Sequence, residues 1–152
     1  MVAAPDLPDS HHPFDLERFV EAQSRVIEQV RAELRAGAKR GHWMWFVFPQ
    51  LKGLGMSETS RFYGIASREE AAAYLKHPIL GPRLVECTRL VLGVKSRPNL
   101  TAEQIFGEVD AMKFRSSMTL FAEVTVKEVA FRESLEKFFD GEGDAATLEM
   151  LE

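Results

Sequence analysis

Leu16, Phe19, Gln23, Val26, Ile27, Val30 and Leu34 recur at three- and four-residue spacing, with Gln23 the one polar member of the stripe. That period predicts an amphipathic helix from Leu16 to about Ala36. Asp15 stands where an N-cap is expected and Gly37 where a helix stops. Glu17 and Glu21 near the start, with Arg31, Arg35 and Lys39 at or beyond the end, complement the helix dipole.

The pattern then changes. The stretch "KRGHWMWFVFPQLKGLGMS", Lys39 to Ser57, contains an unbroken apolar run from Trp43 to Phe48. It is far shorter than the roughly 18 residues a membrane span needs, and Pro49 ends it. Continuous apolarity does not separate a buried strand from a buried helical turn. With no partner strand evident, a short buried helix or an extended plug is expected, followed by a loop through Gly53 and Gly55.

Capping signals place the remaining elements. Ser57 opens a short helix carrying Phe62, Tyr63 and Ile65, and "SREE" at Ser67 has capping-box spacing to Glu70, predicting a helix to about Lys76. "HPILGPRL" introduces a helix with Pro78 or Pro82 in its first turn, and "TAEQ" at Thr101 repeats the box. A long segment runs from Val109 to Val124, "TVKE" at Thr125 opens a helix to about Phe139, and Asp144 caps a last one through Leu151. The expected fold is mainly α, a single domain of about seven helices over residues 14–152, with residues 1–13 as a flexible tail.

Bulk numbers agree with that picture and narrow the function. A chain of 152 residues with 45% apolar and 28% charged side chains fits one globular domain. A net charge of −4 supplies no global positive field, which argues against nucleic acid as the principal partner. Cys87 is the single cysteine, so no intramolecular disulfide exists, and the N-terminus lacks a signal-peptide core. No membrane partner and a cytoplasmic location are therefore expected. His11, His12, His42 and His77 have no ligand spacing and no CxxC occurs, so neither a metal site nor a cofactor is expected.

Candidate chemistry concentrates in two places. In "DAMKFRSSMTLF", helical pitch puts Asp110, Lys113, Phe114, Ser117 and Phe121 within an arc of roughly 100°. An acid, an amine and a hydroxyl thus share a face with two rings. Three readings are open: a rim ion pair between Asp110 and Lys113 worth about 0.2–0.5 kcal/mol; the lining of a ligand pocket; or a Lys113-activated Ser116 or Ser117 nucleophile. The second place is the tryptophan-rich block, where buried Trp43 needs a partner for its N–H and His42 and Gln50 stand at the two ends. Gly53-Leu-Gly55-Met-Ser57 precedes a helix start but matches neither a dinucleotide fingerprint nor a P-loop. Arg31, Arg35, Lys39, Arg40 and His42 form one modest basic cluster, equally a solvated helix end or a nucleic-acid contact.

"GHWMWFVFPQLKGLGMS", "AAAYLKHPILGPRL" (Ala71–Leu84), "IFGEVDAMKFRSSMTLF" (Ile105–Phe121) and "FFDGEGDAATLEML" together resemble the bacterial domain-of-unknown-function family numbered eighteen-ten. The resemblance covers roughly residues 14–151. It implies a mainly helical domain and supplies no activity and no catalytic residue. The calpastatin label sometimes attached to that family does not suit a chain with an apolar core.

The leading expectation is that the two blocks meet in one pocket lined by His42, Trp43, Trp45, Gln50, Asp110, Lys113 and Ser117. Such a pocket suits a small anionic or nucleotide-like ligand, with or without turnover. The rivals are a protein–protein adaptor using exposed aromatics and, more weakly, nucleic-acid contact through the 31–42 cluster. Oligomeric state is left open.

Overall fold

The computed structural model describes residues 14–93 and 99–152. The tail expected over residues 1–13 lies outside the described residues. Within them the chain forms α1 (Glu17–Ser24), α2 (Ile27–Ala36), α3 (Met44–Val47), α4 (Glu58–Tyr63), α5 (Arg68–Lys76), α6 (Leu80–Leu92), α7 (Ala102–Phe106), α8 (Glu108–Val124), α9 (Ala130–Phe139) and α10 (Ala145–Leu151). These ten helices correct the expected count of about seven.

Part of the excess comes from the first predicted helix, which is two. Val26 leaves helical geometry (φ −131°, ψ 3°), and its N–H donates to the Gln23 carbonyl three residues back. The Gln23 amide is drawn into the core, where it donates to the Phe46 carbonyl at 2.7 Å and to the Tyr74 hydroxyl at 2.8 Å. Gln23 thus stands on the apolar stripe because it is buried and hydrogen-bonded.

The apolar block takes the first of its two expected forms, one helical turn at α3 with Trp43, Met44, Val47 and Phe48 buried. After it, Leu51 pairs with Ile65 in an isolated parallel bridge. Ile65 N–H donates to the Gln50 carbonyl at 2.9 Å and Lys52 N–H to the Ile65 carbonyl at 2.8 Å. Ile65 is therefore extended rather than helical as expected. Gly64 permits this, since a Cβ there would lie 2.7 Å from Lys52 Cα.

Four caps form as the sequence indicates: Ser57, Ser67, Thr101 and Asp144 each accept a backbone N–H three residues on. Only Thr101 and Gln104 close the reciprocal box. Glu70 instead accepts from Ala66 N–H at 2.7 Å and pairs with Arg18 at 3.0 Å. Two expected starts fail. Asp15 makes no cap, because Leu16 occupies the N-cap position of α1. The helix expected from Thr125 begins at Ala130, whose N–H is taken by the Glu128 carboxylate at 3.1 Å.

Buried apolar side chains form one contiguous cluster, with α8 packed against α3, α5, α7, α9 and α10. From Ser116 to Ala122 every residue of α8 is buried, so no polar face develops along that half. Its first turns emerge at the surface, which explains why charges and rings share one arc in the sequence. No helix among the described residues is long and apolar enough to cross a membrane.

Candidate functional site

The site begins where α2 ends. Gly37 adopts left-handed geometry (φ 70°) and turns the chain. Lys39 N–H then donates to the Ile105 carbonyl at 2.8 Å, tying the loop to α7. Glu33, one turn before the helix stops, gathers the loop beyond it. One of its oxygens accepts from Arg40 N–H (2.8 Å), Gly41 N–H (3.0 Å) and the Trp43 indole N–H (2.9 Å). The other accepts from the Gln29 amide at 2.8 Å. Partial burial pushes the Glu33 carboxyl up, but the donors from Gly41, Arg40, Gln29 and Trp43 prevail and hold it at about 2. The partner of the Trp43 N–H is thus Glu33, not His42 or Gln50.

Asp110, in the first turn of α8, lies between two ammonium groups. Lys39 Nζ is 2.8 Å from Oδ2 and Lys113 Nζ is 3.2 Å from Oδ1. Burial raises the Asp110 carboxyl, and the two lysines more than reverse this, keeping it below the ordinary carboxylate range. Each lysine also sits over an indole: Lys39 Nζ is 5.1 Å from the Trp43 ring centre and Lys113 Nζ 4.2 Å from that of Trp45. The more exposed of the two, at Lys113, is worth about 0.5–1 kcal/mol. Lys39 is the deeper of the two, with its side chain 7% exposed against 20% for Lys113, and it also donates to the Gly41 carbonyl.

Lys113 over Trp45 therefore brings the two sequence blocks together. The remaining expected residues are distributed unevenly around that contact. Trp43 and Gln50 are buried, Trp45 is half-buried and His42 is exposed. Ser117 is fully buried and its hydroxyl has no partner among the described residues. Lys113 directs its ammonium back toward Asp110, and Ser116 donates to the Met112 carbonyl at 3.1 Å. Neither hydroxyl is paired with a base in this arrangement. At Gly55 a Cβ would lie 2.7 Å from Ser60 Cβ and 3.3 Å from the Trp45 ring, so this glycine serves close packing of the loop against α4 and the indole.

Sequence reasoning did not single out Lys39 or Glu33 as site residues. Lys39 figured as a cation at the end of the first helix and in the basic cluster, and its carboxylate partner lies 71 positions away, beyond any helical spacing. The same cluster is partly neutralised, because Arg31 is held by Glu28 at 2.7 Å and Glu86 at 3.0 Å. Concave regions occur elsewhere among the described residues. One of about 600 Å³ lies beside Phe14, Arg18, Lys52, Arg61, Phe62 and Glu70. Another of about 770 Å³ lies between α5, α6 and the α8–α9 connection. Neither is lined by Trp45 or Lys113. Among the described residues no cluster of three metal-ligating side chains occurs.

The model of the family described as "Protein of unknown function (DUF1810)" matches residues 13–151. The chain belongs to that family. Among curated proteins no match is found for this DUF1810 member. A crystal structure of the conserved hypothetical protein Rv1873 from Mycobacterium tuberculosis is similar to it, at 55% sequence identity and a TM-score of 0.88, covering 91% of this chain and 97% of that one. The DUF1810 match agrees with the resemblance carried by the sequence blocks, and both Trp45 and Lys113 fall inside it.

Proposed function

We propose that the chain binds a small anionic, nucleotide-like ligand at the seam where Lys113 meets Trp45. One observation carries this reading: an ammonium group stands 4.2 Å over a half-buried indole, beside a carboxylate whose other oxygen is already held by Lys39. A planar ring stacking at Trp45 would keep an anionic substituent within reach of Lys113. Binding is favoured over catalysis because neither Ser116 nor Ser117 is paired with a base. Ser117 contributes here as buried support of the α8 face.

Thermal denaturation with a panel of nucleotides tests the reading. A ligand present at about a hundredfold over its Kd stabilises by about 2.7 kcal/mol, or roughly 5–10 °C for a chain of this size. Lys113→Ala and Trp45→Ala should each remove that shift while keeping a cooperative transition. A wild-type chain unmoved by every anionic ligand tried would dispose of the proposal.

A second reading, an adaptor, draws on Val109 and Met112, which are 68% and 69% exposed on the α8 turns that carry Asp110 and Lys113. Exposed apolar side chains rimmed by charged ones mark surfaces that favour protein partners. Met112→Ser would then weaken partner or self-association in gel filtration and leave nucleotide shifts untouched. Nucleic-acid contact through residues 31–42 is the weakest of the three, since Arg31 and Lys39 already have carboxylate partners.

A further inference from the structure

We propose that Lys39 supplies the net positive charge this site shows to a ligand. Three charged groups are in direct contact here, and Asp110 is shared between the other two. With Lys39 present the sum is two positive charges against one negative, so Asp110 is cancelled and Lys113 is left uncompensated over Trp45. Without Lys39 the remaining pair is neutral, and Asp110 faces Lys113 alone. Lys39 is suited to this fixed role. It donates to the Gly41 carbonyl and to Asp110, its third side rests over Trp43, and its loop is bound to Ile105 and Glu33. Lys113 has one hydrogen-bond partner among the described residues, the Asp110 oxygen at 3.2 Å. It is the more exposed ammonium, and so the one an anion meets. Lys39 acts through Asp110 and is a positioning residue. Its role deepens the ligand reading above and rests on it for what the charge serves.

Collisional quenching of tryptophan fluorescence reads that charge without a ligand. Trp43 is 1% exposed, so quenchers in solvent report on Trp45. Iodide senses local potential, and neutral acrylamide senses exposure alone. The ratio of their quenching constants should fall about twofold in Lys39→Met at low salt and rise by a similar factor in Asp110→Asn, as expected for one unit charge removed from the same contacting cluster in a high dielectric. In the double variant it should return to the wild-type value, and Lys39→Arg should preserve it. A merely structural lysine would not yield opposite signs that cancel. An unchanged ratio in Lys39→Met, or a double variant as low as Lys39→Met, overturns the inference. Should Lys39→Met not fold, an unchanged ratio in Asp110→Asn overturns it equally.

Adenosine 5′-monophosphate is then titrated against the same variants. Affinity tracking the iodide series, weaker in Lys39→Met and stronger in Asp110→Asn by about fivefold each, supports both proposals. Iodide tracking the charges while the nucleotide fails to bind any variant supports the charge assignment and removes the ligand reading.

Discussion

Glu70→Ala is expected to destabilise the fold by about 3–5 kcal/mol, the cost of breaking a buried ion pair from one side. The Glu70 side chain is 4% exposed and that of Arg18 is 11%. One Glu70 oxygen pairs with Arg18 at 3.0 Å and the other accepts from Ala66 N–H at 2.7 Å. Arg18 in turn donates to the carbonyls of Phe62 at 2.7 Å and Gly64 at 3.0 Å, and to that of Asp15. The pair thus supplies hydrogen bonds to the segment from Phe62 to Ala66, which the single bridge to Leu51 leaves largely unpaired. Truncation strands a guanidinium beside the core and frees the Ala66 N–H. Urea denaturation at pH 7 measures the loss. The double change Arg18→Met, Glu70→Met removes both charges together with their backbone hydrogen bonds, and should cost clearly less than the sum of the two single changes. A single-variant loss under about 1 kcal/mol would mean that water reaches the guanidinium and the pair behaves as a surface contact.

That network also marks the limit of what the sequence discloses. Helix starts were legible wherever a side chain caps its own helix: Ser57, Ser67, Thr101 and Asp144 need only a partner three residues on. The Ser67–Glu70 spacing was legible as a capping box, yet Glu70 turns to Ala66 and to Arg18, 52 positions away. The period from Leu16 to Leu34 was read correctly as burial and wrongly as one helix, because the stripe keeps its face across the two-residue break at Arg25 and Val26. In the site, the Asp110–Lys113 pair followed from i,i+3 spacing, and Lys113 lies over Trp45, whereas the expectation was a whole pocket taking in His42, Trp43, Gln50 and Ser117 as well. Lys39 and Glu33 were not legible as site residues. Each acts through contacts set by how the loop after α2 closes on α7 and α8, and no local pattern encodes those contacts.

Glu33 gives the second large effect, and it carries a pH signature. Glu33→Ala should cost about 2–4 kcal/mol, chiefly because it leaves the buried Trp43 indole N–H without an acceptor. The Arg40 and Gly41 N–H groups lie nearer the surface and can turn to water. The carboxyl is held at about 2 in the folded chain, against an ordinary value of 4.5. A depressed folded value favours the native state when the group is ionised in both states, so the contribution is fully present above about 4.5. It declines as pH falls below that and is gone once pH passes about 2. Glu33→Gln keeps the shape and an acceptor oxygen but cannot ionise. The stability difference between wild type and Glu33→Gln, from urea midpoints, should therefore hold steady from pH 7 to 5 and shrink progressively toward pH 2. Asp110 titrates in both proteins and cancels in the difference. A difference that stays constant from pH 7 to 2 would show that the Glu33 contacts serve the denatured chain equally, and that something else fixes Trp43 and the loop.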